Sequence, residues 1–97
     1  MRYRLHEGIV YTRISNVYLL VATRKVWDQF SSVYTLSPVE GWLCSGLANG
    51  MDTEEIICNE DLRKKLPEPT IRKKLDQIIE KLIKENYLIP EEHSAAD

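Results

Sequence analysis

Two histidines, two cysteines and a scatter of carboxylates are the residues whose chemistry could be catalytic or metal-binding, and their spacing does not gather them into a site. Nucleophilic catalysis needs a nucleophile beside a base, and acid–base work needs paired carboxylates in a cleft. His6 stands in an N-terminal turn and His93 in a polar C-terminal tail, so neither is placed for a pocket. Cys44 and Cys58 have no CxxC spacing and fall in separate expected helices. A zinc site built from them and a histidine would lack the paired ligand spacing that such sites use. Without a secretion signal, both thiols read as reduced, buried small hydrophobes. No Gly-rich phosphate loop is present, and the acids of the last two helices read as a solvated face. These residues point to a binding domain that needs no cofactor or metal, and not to an enzyme.

Bulk properties narrow the partners. A 97-residue chain, 43% hydrophobic and 29% charged, has material for one small core. The net charge of −2 disfavours a generally basic nucleic-acid binder. The bases are unevenly placed, however: Leu62 to Lys84 holds eight of them against three acids, Glu68, Asp76 and Glu80. The N-terminus lacks the apolar run of a signal peptide. The longest apolar stretch, Val17 to Ala22, is too short to span a bilayer, so a cytoplasmic location is the default.

The elements that must position any binding surface divide at Ser37. Ser37, Pro38 and Glu40 form a Ser-Pro-x-Glu start, in which the Ser hydroxyl accepts from first-turn N–H groups and Pro occupies the first helical position. Ahead of it the chain reads as β. Tyr3–Leu5 is a short strand or strand extension; Ile9–Ile14 and Val17–Ala22 are joined at Ser15-Asn16 by a two-residue turn in which Asn tolerates positive φ; Ser32–Leu36 is the last strand. In the loop between, Trp27 and Phe30 fold back to cap the core, the alternative being an exposed binding surface. Three such strands with no later partner leave an edge open or covered by a helix.

Beyond Ser37 the pattern is helical. The first helix runs to about Ala48 and stops at Asn49-Gly50; Gly41 and Gly46 within it suggest close approach by a neighbouring backbone. Asp52 and Glu55 cap a second helix that ends before Pro67. The third opens at Glu68 or Thr70 and reaches about Asn86. Its core stripe is Ile71, Leu75, Ile78 and Leu82. On one shoulder Ile79 and Ile83 extend the apolar arc, flanked by Arg72 and Asp76; Lys74, Lys81 and Glu85 lie on the other. Tyr87 to Ile89 docks on the core, so residues 1–89 form one domain and 90–97 a polar, disordered tail.

Three strands followed by three helices is an α+β, winged helix-turn-helix-like order: a three-stranded N-terminal β-sheet, then a three-helix bundle. With Leu36-Ser37-Pro38, Leu43, Leu47, Gly50, Asp52-x-x-Glu55-Ile56 and the closing Asn86-Tyr87-Leu88-Ile89 at matching spacing, the chain resembles the PqqD-like family, the peptide-recognition domains of ribosomal peptide modification pathways. The resemblance covers Tyr3 to Ile89. It implies a non-catalytic adaptor that binds the leader of a ribosomally made precursor peptide by β-strand addition and presents it to a modifying enzyme, in this family often a radical-SAM enzyme. On that reading Val33, Tyr34, Thr35 and Leu36 offer the strand edge. Arg72, Asp76, Ile79 and Ile83 form the other wall of the groove. The alternative is a winged-helix DNA-binding transcriptional regulator that sets Arg63 to Lys65 and Arg72 to Lys74 against phosphates. Acids interleaved on the last helix weigh against it. An open edge also allows either a monomer or an edge-paired homodimer.

Overall fold

The computed structural model describes residues 2–30 and 33–91. Its β half is built on a hairpin in which strand β2 (Ile9–Ile14) meets β3 (Val17–Ala22) with Ile14 opposite Val17, so Ser15 and Asn16 are the two turn residues. The left-handed φ falls on Ser15, at 56°, and not on Asn16 as the sequence suggests. Positive φ at the first central residue is one of the ways a two-residue turn matches the twist of its strands. Strand β4 (Val33–Leu36) then pairs antiparallel with β3, completing a three-stranded sheet in the order β2-β3-β4. Tyr18, Leu20 and Leu36 are buried on one face of that sheet.

Helix α1 (Pro38–Ala48) starts as its residues dictate. Glu40 N–H donates to Ser37 Oγ at 3.2 Å, while Ser37 N–H donates to Glu40 Oε1 at 2.9 Å. It ends with Gly50 at φ 78°, where Gly50 N–H reaches Leu47 O and Met51 N–H reaches Gly46 O. These paired bonds are the Schellman pattern, which satisfies the last carbonyls of the helix. Asp52 and Glu55 form the second capping box, at the start of α2 (Thr53–Ile57). The expected second helix is nevertheless two: α2 stops at Cys58, and Asn59 caps α3 (Glu60–Lys65) by accepting from Leu62 N–H at 3.1 Å. Asn followed by Glu60 and Asp61 is a helix-start signal within the sequence, because acids suit the positive end of a helix.

The long helix α4 (Glu68–Lys84) buries Ile71, Leu75, Ile78, Ile79 and Leu82. Its end depends on Asn86, whose φ is 68°. Asn86 N–H bonds Ile83 O, and Tyr87 N–H bonds Leu82 O at 2.9 Å, a second Schellman turn. That turn buries Tyr87 and launches β5 (Leu88–Glu91), which pairs antiparallel with β1 (Arg2–Leu5). Residues Pro90 and Glu91, read from the sequence as the start of a tail, are therefore strand; 92–97 lie outside the described residues. Tyr3–Leu5 is no extension of the main sheet but half of a separate two-stranded ribbon. Sequence alternation cannot announce a pairing between the two ends of a chain. Among the described residues, no helix is long and apolar enough to cross a membrane.

The neighbours of Gly41 and Gly46 are side chains and not backbone. A Cβ built on Gly41 would lie 2.2 Å from Cγ of Tyr18, and one on Gly46 would lie 2.8 Å from Ile56 Cγ1. The ring of Tyr18 thus rests directly on the backbone of α1 and holds it to the sheet. Alanine at position 41 gains about 1 kcal/mol in helix propensity but overpacks a buried ring, an error that costs typically 1–3 kcal/mol or more. Gly41→Ala should therefore lower the midpoint of denaturant unfolding despite its better propensity, whereas an unchanged or raised midpoint would show that Tyr18 moves aside freely.

Candidate peptide-binding groove

Among the described residues, strand β4 has a partner on one side only. Its open edge can be assigned residue by residue from the hairpin. In an antiparallel ladder, pairs that exchange both bonds alternate with pairs that exchange none. The two-residue turn makes Ile14 and Val17 a bonded pair, and Thr23 N–H to Gly8 O at 2.8 Å continues the same alternation at the far end. The main-chain groups of Leu19 and Val21 therefore point at β2, and those of Tyr18 and Leu20 point at their β4 partners, Leu36 and Tyr34. Val33 and Thr35, the alternate residues, aim their N–H and C=O groups away from the sheet. An extended chain needs such a row in order to bind.

The side chains of β4 divide in the same rhythm. Val33 and Thr35 are exposed, Tyr34 is half-buried and Leu36 is buried. Tyr34 turns inward, with its ring centroid 5.0 Å from that of Tyr87. Tyr87 in turn meets Phe30 at 4.8 Å, and Phe30 meets His6 at 5.1 Å. His6 N–H donates to Tyr87 O. Phe30 caps the core as the sequence suggests. Trp27 does not: it is 53% exposed, held by its indole N–H to Ala22 O at 2.7 Å.

Across from this edge, α4 presents Lys81, whose Nζ lies 5.4 Å from the Tyr34 ring centroid and 3.5 Å from Glu40 Oε2. Beyond Leu36 the space between α1 and α4 is a cavity of about 310 Å³ over Val39, Leu43 and Ile78, with Lys74, Gln77 and Lys81 on its α4 side. The Tyr34 hydroxyl, and beyond it Glu40, raise the pKa of Lys81 and keep it charged. Partial burial works against the charge of Glu40, but the hydrogen bond from Ser37 and the nearby Lys81 outweigh it and hold the carboxyl below the ordinary glutamate range.

The four residues of β4 are thus together at one edge, but the helix residues expected opposite them are elsewhere. Arg72, Asp76 and Ile79 line a separate recess with Tyr3, Thr53 and Ile57, on the shoulder of α4 that faces α2 and β1. Arg72 is engaged there with Glu54 at 3.3 Å and Glu68 at 3.2 Å. Ile79 is buried, and Ile83 is half-buried against the core. The helical wheel separates the two shoulders correctly. It cannot say which one the sheet edge meets, because that is set by how α4 lies on α1. Lys74, Gln77 and Lys81 line the cavity that follows Leu36, and the sequence places Lys74 and Lys81 on one shoulder.

The remaining chemistry-bearing residues are dispersed over the fold. Burial pushes the Cys44 thiol up to about 12, while Cys58, expected to be buried, is exposed at the end of α2. Among the described residues, no group of three His, Cys, Asp or Glu side chains could hold a metal ion. Part of the basic run is engaged by neighbours: Arg63 pairs with Glu68 at 2.7 Å, and Lys65 sits 4.6 Å from the Trp42 ring centroid.

The pKa of Glu40 supplies a sign. A carboxyl held below its unfolded value contributes stability above the unfolded pKa and loses it as pH falls through the folded one. The contribution of Glu40 should be whole at neutral pH and fade as pH drops through and below the ordinary glutamate range. Glu40→Gln should therefore destabilise the protein at neutral pH and flatten this part of the acid limb in unfolding measured against pH. An identical acid limb in the two proteins would remove Glu40 from the account.

No protein-family model and no curated protein matches the chain. Among solved structures, TbiB1 in complex with the TbiA(beta) leader peptide is similar over the whole of both chains, with a TM-score of 0.68 at 20% sequence identity. The α+β arrangement derived above, a three-stranded antiparallel sheet followed by helices, is the fold this chain shares with TbiB1.

Proposed function

We propose that this protein is a non-catalytic, PqqD-like adaptor that takes up the leader of a ribosomally made precursor peptide as a fourth strand on β4 and presents it to a modifying enzyme. The observation that carries the reading is the outward main chain of Val33 and Thr35 beside the cavity between α1 and α4. Strand addition draws its affinity from such groups and its selectivity from pockets along the edge. The shared fold supports the reading, since the TbiB1 structure is of a leader-peptide complex. Tyr34 and Leu36 belong to the site as the inward row of the edge strand. Opposite them we assign Lys74, Gln77, Ile78 and Lys81, in place of Arg72, Asp76, Ile79 and Ile83, because the former line the cavity that continues the edge.

The test is residue-specific. In ¹⁵N-labelled protein titrated with the precursor encoded beside its gene, the amides of Val33 and Thr35 should gain hydrogen-exchange protection. Those of Tyr34 and Leu36, already bonded to β3, should change little. Protection that spares Val33 and Thr35 would sink strand addition at β4. Thr35→Pro adds a second arm. Proline is tolerated at a strand edge when its missing N–H would have faced outward, so this variant should stay folded and lose peptide binding; unchanged affinity would contradict the assignment.

A further inference from the structure

We infer that the segment added to β4 alternates acidic and apolar residues, the acids facing α4 and the apolar residues facing away. This deepens the strand-addition reading and rests on it. A strand laid on β4 continues the pleat, so successive side chains fall alternately on the two faces of the sheet. One row continues Val33 and Thr35; the other continues Tyr34 and Leu36.

The outward row joins a face without charge. By register its members are Val10, Thr12 and Ile14 on β2, Val17, Leu19 and Val21 on β3, and Val33 and Thr35 on β4. Every one is apolar or threonine. Ile14 is 62% exposed, Val10 48%, and Val17 and Val33 47% each. A charged residue added beside Val33 would find no charged partner on that face, whereas a β-branched or aliphatic one packs on Val33 and extends the face.

The inward row meets the opposite chemistry. It passes the Tyr34 ring beneath Lys81 and enters the cavity flanked by Lys74, Gln77 and Lys81. The charged groups lining that cavity are Lys74, Lys81 and Glu40, and Glu40 has a second partner in Ser37 N–H. Lys81 can therefore turn to a peptide carboxylate without leaving Glu40 unpaired. Glu85, one turn further along α4 from Lys81, places negative charge at the other end of the shoulder. The peptide carboxylate accordingly belongs in the stretch between Lys74 and Lys81.

Three synthetic probes test this: peptides in which valine alternates with glutamate, with glutamine or with lysine. The net charge of −2 would by itself favour the lysine peptide, so a preference for glutamate reports the groove and not bulk attraction. The glutamate peptide should bind about tenfold tighter than the lysine peptide, the scale of one favourable charge contact replaced by repulsion, and should shift the Val33 and Thr35 amides. In the Lys74→Glu, Lys81→Glu double variant the order should reverse. Lys81→Gln alone should narrow the gap, which covers the case of a misfolded double variant. Equal affinities with shifts at Val33 and Thr35 would overturn the acidic pattern and leave strand addition standing. If the precursor shifts those amides and no probe does, the alternation is wrong; if the precursor does not shift them either, the underlying reading fails instead.

Discussion

The left-handed turn at Asn86 is the constraint on which the rest of the molecule depends. A long helix must satisfy its last carbonyls, and here it does so by turning sharply, which only a residue tolerant of positive φ allows. The reversal drops Tyr87 into the core, where its ring lies beside Tyr34 and Phe30 and its carbonyl accepts from His6. One residue thereby ties the end of α4, the turn after β1, the loop after β3 and the edge strand. The ribbon of β1 and β5 follows from the same turn, because the chain leaves it heading back past residues 2–5.

The sheet edge is held from two directions. Ser37 ends β4 and starts α1 in one step, so the exposed main chain has a defined length and a helix closes its C-terminal side. Tyr34 turns its bulk inward against Tyr87, leaving the outward groups of Val33 and Thr35 unobstructed. The contact of Tyr18 on Gly41 then sets how near α1 approaches the sheet. A groove built this way is largely preformed, which lowers the ordering cost that an extended ligand must overcome.

The uneven charge distribution along the chain reads differently once the helices are packed. The basic stretch from Arg63 to Lys84 is not one surface. Arg63 and Arg72 are engaged by Glu54 and Glu68, in exposed pairs that link α2, α3 and α4 and are worth little to stability. Lys81 sits on the opposite shoulder beside Tyr34 of the open strand, and Lys74 lines the cavity that follows it. Basic residues close together in sequence thus serve different neighbours.

Much of the fold was legible because it rests on local rules. Ser37 with Glu40 and Asp52 with Glu55 each satisfy free N–H groups within one turn, Gly50 takes the left-handed stop, and the β-branched runs of β2 and β3 flank a two-residue turn. The strand Val33–Leu36 was legible for the same reason, whereas its edge as a binding surface came only from the family resemblance. What tertiary structure alone decided involves residues far apart in sequence: β1 on β5, the rings of Tyr87 and Tyr34, the seat of Tyr18 on α1, and which shoulder of α4 faces the open edge. A helical wheel gives the angle between two side chains but not the rotation of the helix about its own axis. That rotation is fixed by packing against α1 and α2, so Lys74 and Lys81 came to the groove while Arg72 and Asp76 went to the far side.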